Sequence, residues 1–316
     1  MKLYLGVDGG QSSTTALIGN ESGRVVGYGR GGPCNHISGS ASRAKFLDAI
    51  GGCVRAALSQ VEQGAPARFV SACFGFSGGA EDKAGLLDEI LTTGHRLVTH
   101  DALIALAGAS AGAPGIIVIG GTGSIGFGRN AAGRTARVGG WGYVYGDEGG
   151  GFDIARRALR SALRMEEGWG RTTILREMLL EETAAKDAND LLHRFYTPEF
   201  ERPRIASLAN LVDVAAGQGD TEAQEILNQA ALELASLADA VRKQLFTDHE
   251  PARVSWIGGV FGSDILRNRF KTLVDLTDGN LAGPPLLEPA AGALLEAYRI
   301  AEAHVTLTNI PSCEKK

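Results

Sequence analysis

The chain has 316 residues, of which 44% are hydrophobic and 21% charged, a composition that allows two folded domains with cores of their own. Its formal net charge of −5 argues against a nucleic-acid binder, which would carry a basic patch. The scattered cysteines have no C-x-x-C spacing, which disfavours a zinc site or a disulfide framework and indicates a reducing compartment. No apolar run approaches about 18 residues, so no membrane span is predicted.

The first predicted element is a β-hairpin with an unusual turn. Residues 3–7 predict a strand that ends at Asp8 and two glycines, and a second strand is predicted over 16–18. A run of small polar residues lies between them, and its N–H groups can converge on an anion where no side chain intervenes. An ordinary hairpin shows the same pattern, so the turn alone does not decide between the two.

The following elements alternate between strands and helices. Strands are predicted over 69–76, 96–100, 116–119 and 254–257. Helices are predicted over 41–63, 84–91, 102–111 and 289–303, from about residue 263, and over most of 149–246. The segment 113–115 and the pair Pro284-Pro285 are breaks typical of domain boundaries.

An internal repeat relates the opening hairpin to one in the middle of the chain. Residues 7–29 and 118–140 each contain a strand, a Gly-Gly pair, hydroxyl residues, a second strand, a turn that closes on glycine and a third strand. Asp8 of the first copy corresponds to Ile119 of the second, so only one hairpin carries a carboxylate. The repeat predicts two similar α/β domains that hold a polyphosphate with its metal on one side; two unrelated hairpins are the alternative.

Two further motifs match a dinucleotide-binding loop and a serine hydrolase but lack the neighbouring elements that those functions require. "GTGSIG" (121–126) has the spacing of a dinucleotide-binding loop, yet a strand and turn follow it where that fold needs a helix. "GFSGG" (75–79) has the spacing of a serine-hydrolase elbow, yet His304 is a poor triad candidate and no oxyanion loop is present. The absence of any Gly-Lys pair excludes a Walker A loop.

Five motifs in order resemble a known family: "GVDGGQSSTTAL", "THDA", "GGTGS", "GGWGYVYGDEGGGFDIARRAL" and "WIGGVFGS". Together they are similar to the N-acetylglucosamine kinases of the actin-like ATPase superfamily, alongside the BadF/BadG/BcrA/BcrD activator ATPases. The resemblance implies two actin-like (ribonuclease H-like) α/β domains with mixed sheets around a central cleft. It places residues 1–113 and the helix 289–304 in the first domain and 114–288 in the second.

The resemblance also implies which residues bind ATP and Mg²⁺. Asp8 would hold the metal through water, as Mg²⁺ gives up its waters reluctantly. The first phosphate loop would comprise Gly10, Ser12 and Ser13, the second Thr122, Gly123 and Ser124, and the adenosine would lie against Gly258, Gly259 and Ala216.

On the acceptor side, the resemblance assigns Asp101 as the catalytic base. The sugar ligands would be Asn35, Gly139, Gly140, Trp141 and Asp147. Three questions stay open at this point: Trp141 could be a core aromatic, Asp101 could cap the helix after it, and Glu148 could either support the site or cap a helix.

The expected activity is ATP-dependent phosphorylation of N-acetylglucosamine to its 6-phosphate by a cytoplasmic homodimer. Kinases for glucosamine, N-acetylmuramic acid or N-acetylmannosamine are alternatives, since pocket shape decides among them. An activator ATPase would need cysteines placed to bridge a dimer through an iron–sulfur cluster, and Cys34, Cys53, Cys73 and Cys313 show no such context. A sugar-sensing regulator would need a DNA-binding helix-turn-helix, which the sequence does not show.

Overall fold

The two copies of the predicted repeat form two separate five-stranded sheets that have the same strand order. The computed structural model describes residues 1–10, 12–34, 40–61, 68–77 and 83–311. The chain divides into unit 1, Met1–Ala113 with Pro285–Lys316, and unit 2, Pro114–Pro284. No helix in the described residues is both long and apolar enough to cross a membrane.

Unit 1 is a mixed sheet with helices on both faces. Its strands in the described residues are β1 (Leu3–Gly9), β2 (Thr14–Asn20), β3 (Val25–Gly31), β4 (Arg68–Phe76) and β5 (Thr92–His100). Its helices there are α1 (Ser40–Leu58), α2 (Asp101–Ala109) and α10 (Pro289–Ile300), the last numbered by its place in the chain. The sheet order is β3-β2-β1-β4-β5, with β1, β2 and β3 antiparallel and β4 and β5 parallel to β1.

The central strand β1 is apolar on both faces because both are covered. Leu5 and Val7 pack in a core with residues of α1, whereas Tyr4 points the other way and packs against Leu294 and Tyr298 of α10. Alternate side chains of a strand leave on opposite faces, so the run "LYLGV" fills two layers at once.

Unit 2 repeats this arrangement with different helices. Its strands in the described residues are β6 (Gly115–Gly120), β7 (Ser124–Arg129), β8 (Thr135–Gly139), β9 (Ala252–Ile257) and β10 (Asn280–Ala282). Its helices are α3 (Gly151–Glu166), α4 (Leu175–Thr183), α5 (Ala188–Arg194), α6 (Arg202–Ser207), α7 (Ala209–Gly217), α8 (Thr221–Leu245) and α9 (Asp264–Asp275). The order β10-β9-β6-β7-β8 has antiparallel β6, β7 and β8 and parallel β9 and β10, as in unit 1.

The structure differs from the sequence prediction at weakly patterned segments. The predicted helix over 84–91 is a 3₁₀ turn, Ala84–Glu89. β5 begins at Thr92, four positions before the predicted 96, because pairing with β4 extends it through a polar stretch that has little strand character of its own. The three-residue β10 was not predicted, since it depends on parallel pairing with β9 rather than on a local pattern.

The chain returns to unit 1 before its last helix begins. The N–H groups of Leu286 and Leu287 donate to the carbonyls of Ala109 and Gly108, at 3.2 and 3.1 Å. These bonds tie the segment after Pro285 to the end of α2, which puts the return at the Pro-Pro pair rather than at residue 289.

We expect Gly292→Ala to destabilise unit 1, although alanine is the better helix former. A Cβ at Gly292 would lie 1.9 Å from the carbonyl oxygen of Ile104 and 2.3 Å from the amide nitrogen of Gly108, so α10 would have to move off α2. The expected loss is about 1–3 kcal/mol in urea unfolding. Gly52→Ala in α1 is the matched control, because its Cβ would meet nothing closer than 4.0 Å. Equal stability of the two variants would contradict the close helix contact.

Candidate active site

Two carboxylates lie at one edge of the sheet in unit 1. Asp8 is the next-to-last residue of β1, and Asp101 directly follows the end of β5. Because both strands are parallel to β4, their carboxyl ends meet at the same edge, where α/β sheets commonly bind ligands. Ser77 holds Asp101 in place by donating its hydroxyl to Oδ2 at 2.8 Å.

The environment of Asp8 disfavours its charged form. Burial and the nearby charges of Asp101 and Glu288 raise the pKa of Asp8 from 3.8 to about 6. Glu288 lies at the cap position of α10, so the chain's return supplies the third carboxylate.

This arrangement fits a hydrated divalent cation. The described residues contain no group of three or more His, Cys, Asp or Glu placed to hold a metal directly. Mg²⁺ is usually bound by one or two carboxylates and water, and it would neutralise the mutual repulsion of these groups. Asp8 is therefore suited to hold it through water.

The first glycine loop is bonded to the segment that precedes Asn35. The N–H of Gly10 donates to the carbonyl of Ser13 at 3.0 Å, and the N–H of Cys34 donates to the carbonyl of Gly10 at 2.9 Å. Ser12 is exposed, so its hydroxyl is available to a ligand. Asn35 itself lies outside the described residues, and its predicted sugar contact stays a prediction.

The second glycine loop is held by the start of α3. The N–H groups of Gly151 and Phe152 donate to the carbonyls of Gly121 and Thr122 at 2.8 and 3.0 Å. The hydroxyl of Ser124 donates to the carbonyl of Glu148 at 2.6 Å. The loop backbone is thus positioned by protein hydrogen bonds, which leaves its outer face for a ligand.

A close backbone approach joins this loop to the end of β9. Gly258 has a φ of 115°, and a Cβ there would lie 2.2 Å from the carbonyl oxygen of Gly120. Only glycine fits this position, which accounts for the first glycine of the pair after β9.

A cavity of about 580 Å³ opens beside the second loop within unit 2. Gly121 and Thr122 line it on one side and Gly259 on another. The predicted adenosine contact Ala216 is not among its lining residues, because this side chain is 2% exposed and points into the core. Asn210 and Asp213, on another face of α7, line the cavity instead.

The predicted acceptor loop presents its tryptophan to solvent. Gly139 and Gly140 have φ values of 76° and 70°, which glycine adopts without strain. They turn the chain at the end of β8 so that Trp141 is 74% exposed. This exposure excludes the alternative that Trp141 is a core aromatic.

Asp147 is a buried carboxylate with a charged partner. It forms an ion pair with Arg202 of α6 and accepts a hydrogen bond from the N–H of Ser124 at 3.4 Å. A Cβ at Gly123 would lie 2.3 Å from Oδ2 of Asp147, so glycine lets the carboxylate lie against the second loop. Arg202 also lies over the ring of Tyr143, 5.3 Å from its centroid.

The structure answers the two questions about helix caps. The cap position of α2 is His100, and Asp101 is the first helical residue, so it does not occupy the cap. The cap of α3 is Gly150 without a side-chain bond, so Glu148 does not cap that helix either.

Sequence reasoning missed Ser77, Glu288, Arg202 and Asp213. Only Ser77 lies in a motif visible in the sequence, "GFSGG", whose spacing is that of a serine-hydrolase elbow. Glu288 and Arg202 lie far in sequence from the aspartates that they meet. Asp213, like Asn210, which was also missed, lines the cavity because of the way α7 packs.

The two sheets have the same strand order, and each begins with a Gly-Gly hairpin. A cavity of the size of a nucleotide lies beside the second hairpin. Together these features define a two-domain ATPase of actin-like fold. The model of the BadF/BadG/BcrA/BcrD ATPase family matches residues 5–297, and the chain belongs to this family of ATP-using proteins.

Relatives and solved structures agree with this assignment. The N-acetylmuramic acid/N-acetylglucosamine kinase of Clostridium acetobutylicum is 34% identical over 282 residues, which is 87% of this chain and 91% of the relative. The N-acetyl-D-glucosamine kinase of Dictyostelium discoideum is 29% identical over 79% of this chain and 82% of its own. A solved candidate N-acetylglucosamine kinase from Chromobacterium violaceum has a TM-score of 0.71 at 28% identity, covering 93% of this chain and 98% of its own.

We expect Asp8→Asn to stabilise the metal-free protein at neutral pH, although it removes a carboxylate of the candidate site. The folded-state pKa of about 6 lies above the unfolded value, so ionising Asp8 costs folding free energy as pH rises through 6. The variant should gain up to about 3 kcal/mol in urea unfolding in EDTA near pH 7.5, and nothing below about pH 4.

The control for this experiment is Asp48→Asn, which changes an exposed carboxylate of α1 in the same unit. A gain in the unfolding free energy of Asp8→Asn that does not depend on pH, or a loss of stability at pH 7.5, would contradict the described environment of Asp8.

Proposed function

We propose that this chain is an ATP-dependent sugar kinase that phosphorylates the 6-hydroxyl of an amino sugar, with N-acetylglucosamine as the first candidate. The observation that carries phosphoryl transfer is the pair Asp8 and Asp101 at one sheet edge, with Asp101 held by Ser77. The kinase names of the relatives in Clostridium acetobutylicum and Dictyostelium discoideum support the amino sugar.

Asp101 is proposed as the general base. Phosphoryl transfer needs mainly alignment and charge neutralisation, and a carboxylate takes the proton of the attacking hydroxyl. The bond between the γ-phosphorus and the bridging oxygen breaks, ADP leaves, and the new bond forms to the 6-oxygen of the sugar. The bond from Ser77 occupies one oxygen of Asp101, which leaves the other for the sugar hydroxyl.

The two glycine loops are proposed to bind the phosphates. Backbone N–H groups and hydroxyls suit this task because an acidic protein can bind an anion with them. The set comprises Gly10, Ser12, Ser13, Thr122, Gly123, Ser124, Gly258 and Gly259. Mg²⁺, held by Asp8, would neutralise charge on the β- and γ-phosphates. We assign the nucleoside end of ATP to Asn210 and Asp213 in place of Ala216, because these two line the cavity.

The sugar is proposed to bind Asn35, Gly139, Gly140, Trp141 and Asp147. The ring of Trp141 is 74% exposed, with the guanidinium of Arg137 5.8 Å from its centroid, and is proposed to cover the N-acetyl group. The carboxylate of Asp147 would accept hydrogen bonds from sugar hydroxyls. Arg202 forms an ion pair with this buried carboxylate and holds it in place.

Other sugars and one other function compete with this proposal. The glucosamine kinase of Vibrio cholerae is 31% identical over 53% of this chain, and the Clostridium relative is also named for N-acetylmuramic acid. An activator ATPase is disfavoured because Cys34, Cys53 and Cys73 are all buried; Cys313 lies outside the described residues. The homodimer and the cytoplasmic location stay predictions of the resemblance.

The direct test measures ADP release with a panel of sugars at saturating Mg·ATP. We expect turnover with N-acetylglucosamine to exceed that with glucosamine, N-acetylmuramic acid and N-acetylmannosamine, and the product to carry its phosphate at the 6-position. A different preferred amino sugar would correct the substrate, and no turnover with any sugar would refute the kinase.

We expect Asp101→Asn to lower kcat about 10²- to 10⁴-fold, the usual contribution of a general base. The amide keeps the shape of the carboxylate but cannot accept the proton. ATP affinity measured by calorimetry and the melting temperature should stay close to wild type, because both glycine loops are unchanged. Ser77→Ala is a second variant, expected to lower kcat less because it only releases Asp101. A rate above about a tenth of wild type in Asp101→Asn would rule out the base.

We expect Asp147→Asn to raise the KM for the sugar about 5- to 150-fold, since a lost bond to a buried hydroxyl costs about 1–3 kcal/mol. The KM for ATP should change much less. Arg202→Gln should show the same KM pattern through its effect on Asp147, and Arg202→Lys should recover part of it by restoring the charge. Equal rises in both KM values would indicate damage to the second loop instead.

A further inference from the structure

Unit 2 contains a second cavity that the proposed reaction does not use. A groove of about 450 Å³ runs between α3 and the first turns of α8, and a cavity of about 330 Å³ adjoins its end. Neither shares a lining residue with the cavity beside Thr122. The volume of the groove is within the usual range for small-molecule sites.

The α3 wall of the groove is cationic. Arg157, Arg160 and Arg164 are spaced by three and four residues, so they lie on one face of the helix. Arg157 is paired with Asp153, its Nε donating at 2.9 Å. No carboxylate among the described residues pairs with Arg160 or Arg164, so these two guanidinium groups have their charge available.

One of these guanidinium groups is already held in place. Arg164 lies over the ring of Trp169, 4.8 Å from the ring centroid, and the indole nitrogen donates to Glu167 at 2.6 Å. A cation stacked on a ring keeps its N–H edge free, and that edge matches the oxygens of a phosphate. Arg164 would therefore lose little side-chain entropy on binding a phosphate.

The α8 wall of the groove carries carboxylates instead of guanidinium groups. Glu222 accepts a bond from Ser161 at 2.7 Å and lies 3.9 Å from Arg171. Glu225 is exposed and has no cationic partner among the described residues, and Gln229 lies one turn further on. The carboxylates accept hydrogen bonds from hydroxyls and repel a bare phosphate, and the amide of Gln229, whose Nε2 donates to Glu233 at 2.8 Å, presents its oxygen as a further acceptor. A ligand that suits both walls carries a phosphate at one end and hydroxyls at the other.

We propose that this groove binds a phosphorylated sugar, with its phosphate on Arg160 and Arg164 and its hydroxyls on Glu225 and Gln229. Inorganic phosphate meets only one of the walls and binds more weakly. The proposal concerns binding alone and does not rest on the proposed kinase activity.

The experiment is calorimetric titration with N-acetylglucosamine 6-phosphate, with the kinase site filled by a non-hydrolysable ATP analogue and N-acetylglucosamine. We expect binding of one equivalent to the wild type, with inorganic phosphate weaker by at least about tenfold. The double variant Arg160→Gln/Arg164→Gln should lose at least about 30-fold in affinity, because it removes both charged donors to the phosphate. Arg269→Gln, an exposed arginine of α9, is the matched control and should bind like wild type.

Glu225→Gln tests the hydroxyl end of the ligand. It should weaken the sugar phosphate several-fold and leave inorganic phosphate unchanged or tighter. Equal affinity for both ligands in the wild type, or undiminished binding by a folded double arginine variant, would overturn the proposal. Because the arginine variants report on the groove itself and binding is measured without turnover, a protein inactive on every sugar would refute the kinase and leave this test valid.

Discussion

The burial of β1 on both faces is the constraint on which unit 1 depends. α1 covers one face, and α10, which comes from the far end of the chain, covers the other. Gly6 shows how close this contact is, because a Cβ there would lie 2.1 Å from the amide nitrogen of Leu294. Asp8 lies two residues later on the same strand, so the position of the proposed metal ligand depends on a helix almost 300 residues away in sequence. The return of the chain also brings Glu288, and with it part of the charge that perturbs Asp8.

Unit 2 uses a different means to hold its glycine loop. The first N–H groups of a helix have no partner within the helix, and in α3 two of them bind the carbonyls of Gly121 and Thr122. The N–H groups at the two ends of the loop are also bonded, that of Gly121 to the carbonyl of Gly123 and that of Ser124 to Asp147, so the loop conformation is fixed from several sides. Asp147 lies against this loop, and residue 123 must be glycine because that carboxylate occupies the space a side chain would need.

Both units keep carboxylates in places that cost stability. Asp8 is buried beside two like charges, and Asp147 combines burial with a left-handed backbone conformation, at φ 64°. Asp147 offsets its cost through Arg202, whereas the perturbed pKa of Asp8 shows that its environment remains unfavourable to the charged form. Such costs persist in proteins mainly at functional positions, which supports the proposed roles of both residues.

The sequence by itself determined the elements whose pattern is strong and local. The hairpin repeat, the strand over 69–76, the helical segment after 149 and the glycines at tight turns follow from periodicity and from backbone freedom, which neighbours in the chain decide. The tertiary structure alone decided which distant groups meet: Ser77 with Asp101, Arg202 with Asp147, and Glu288 with Asp8. It also turned Ala216 into the core and Asp213 toward the cavity, because the side of α7 that is buried depends on what packs against it. Pairing extended β5 and created β10 where local preference is weak, since hydrogen bonds to a neighbouring strand outweigh the small differences in strand propensity.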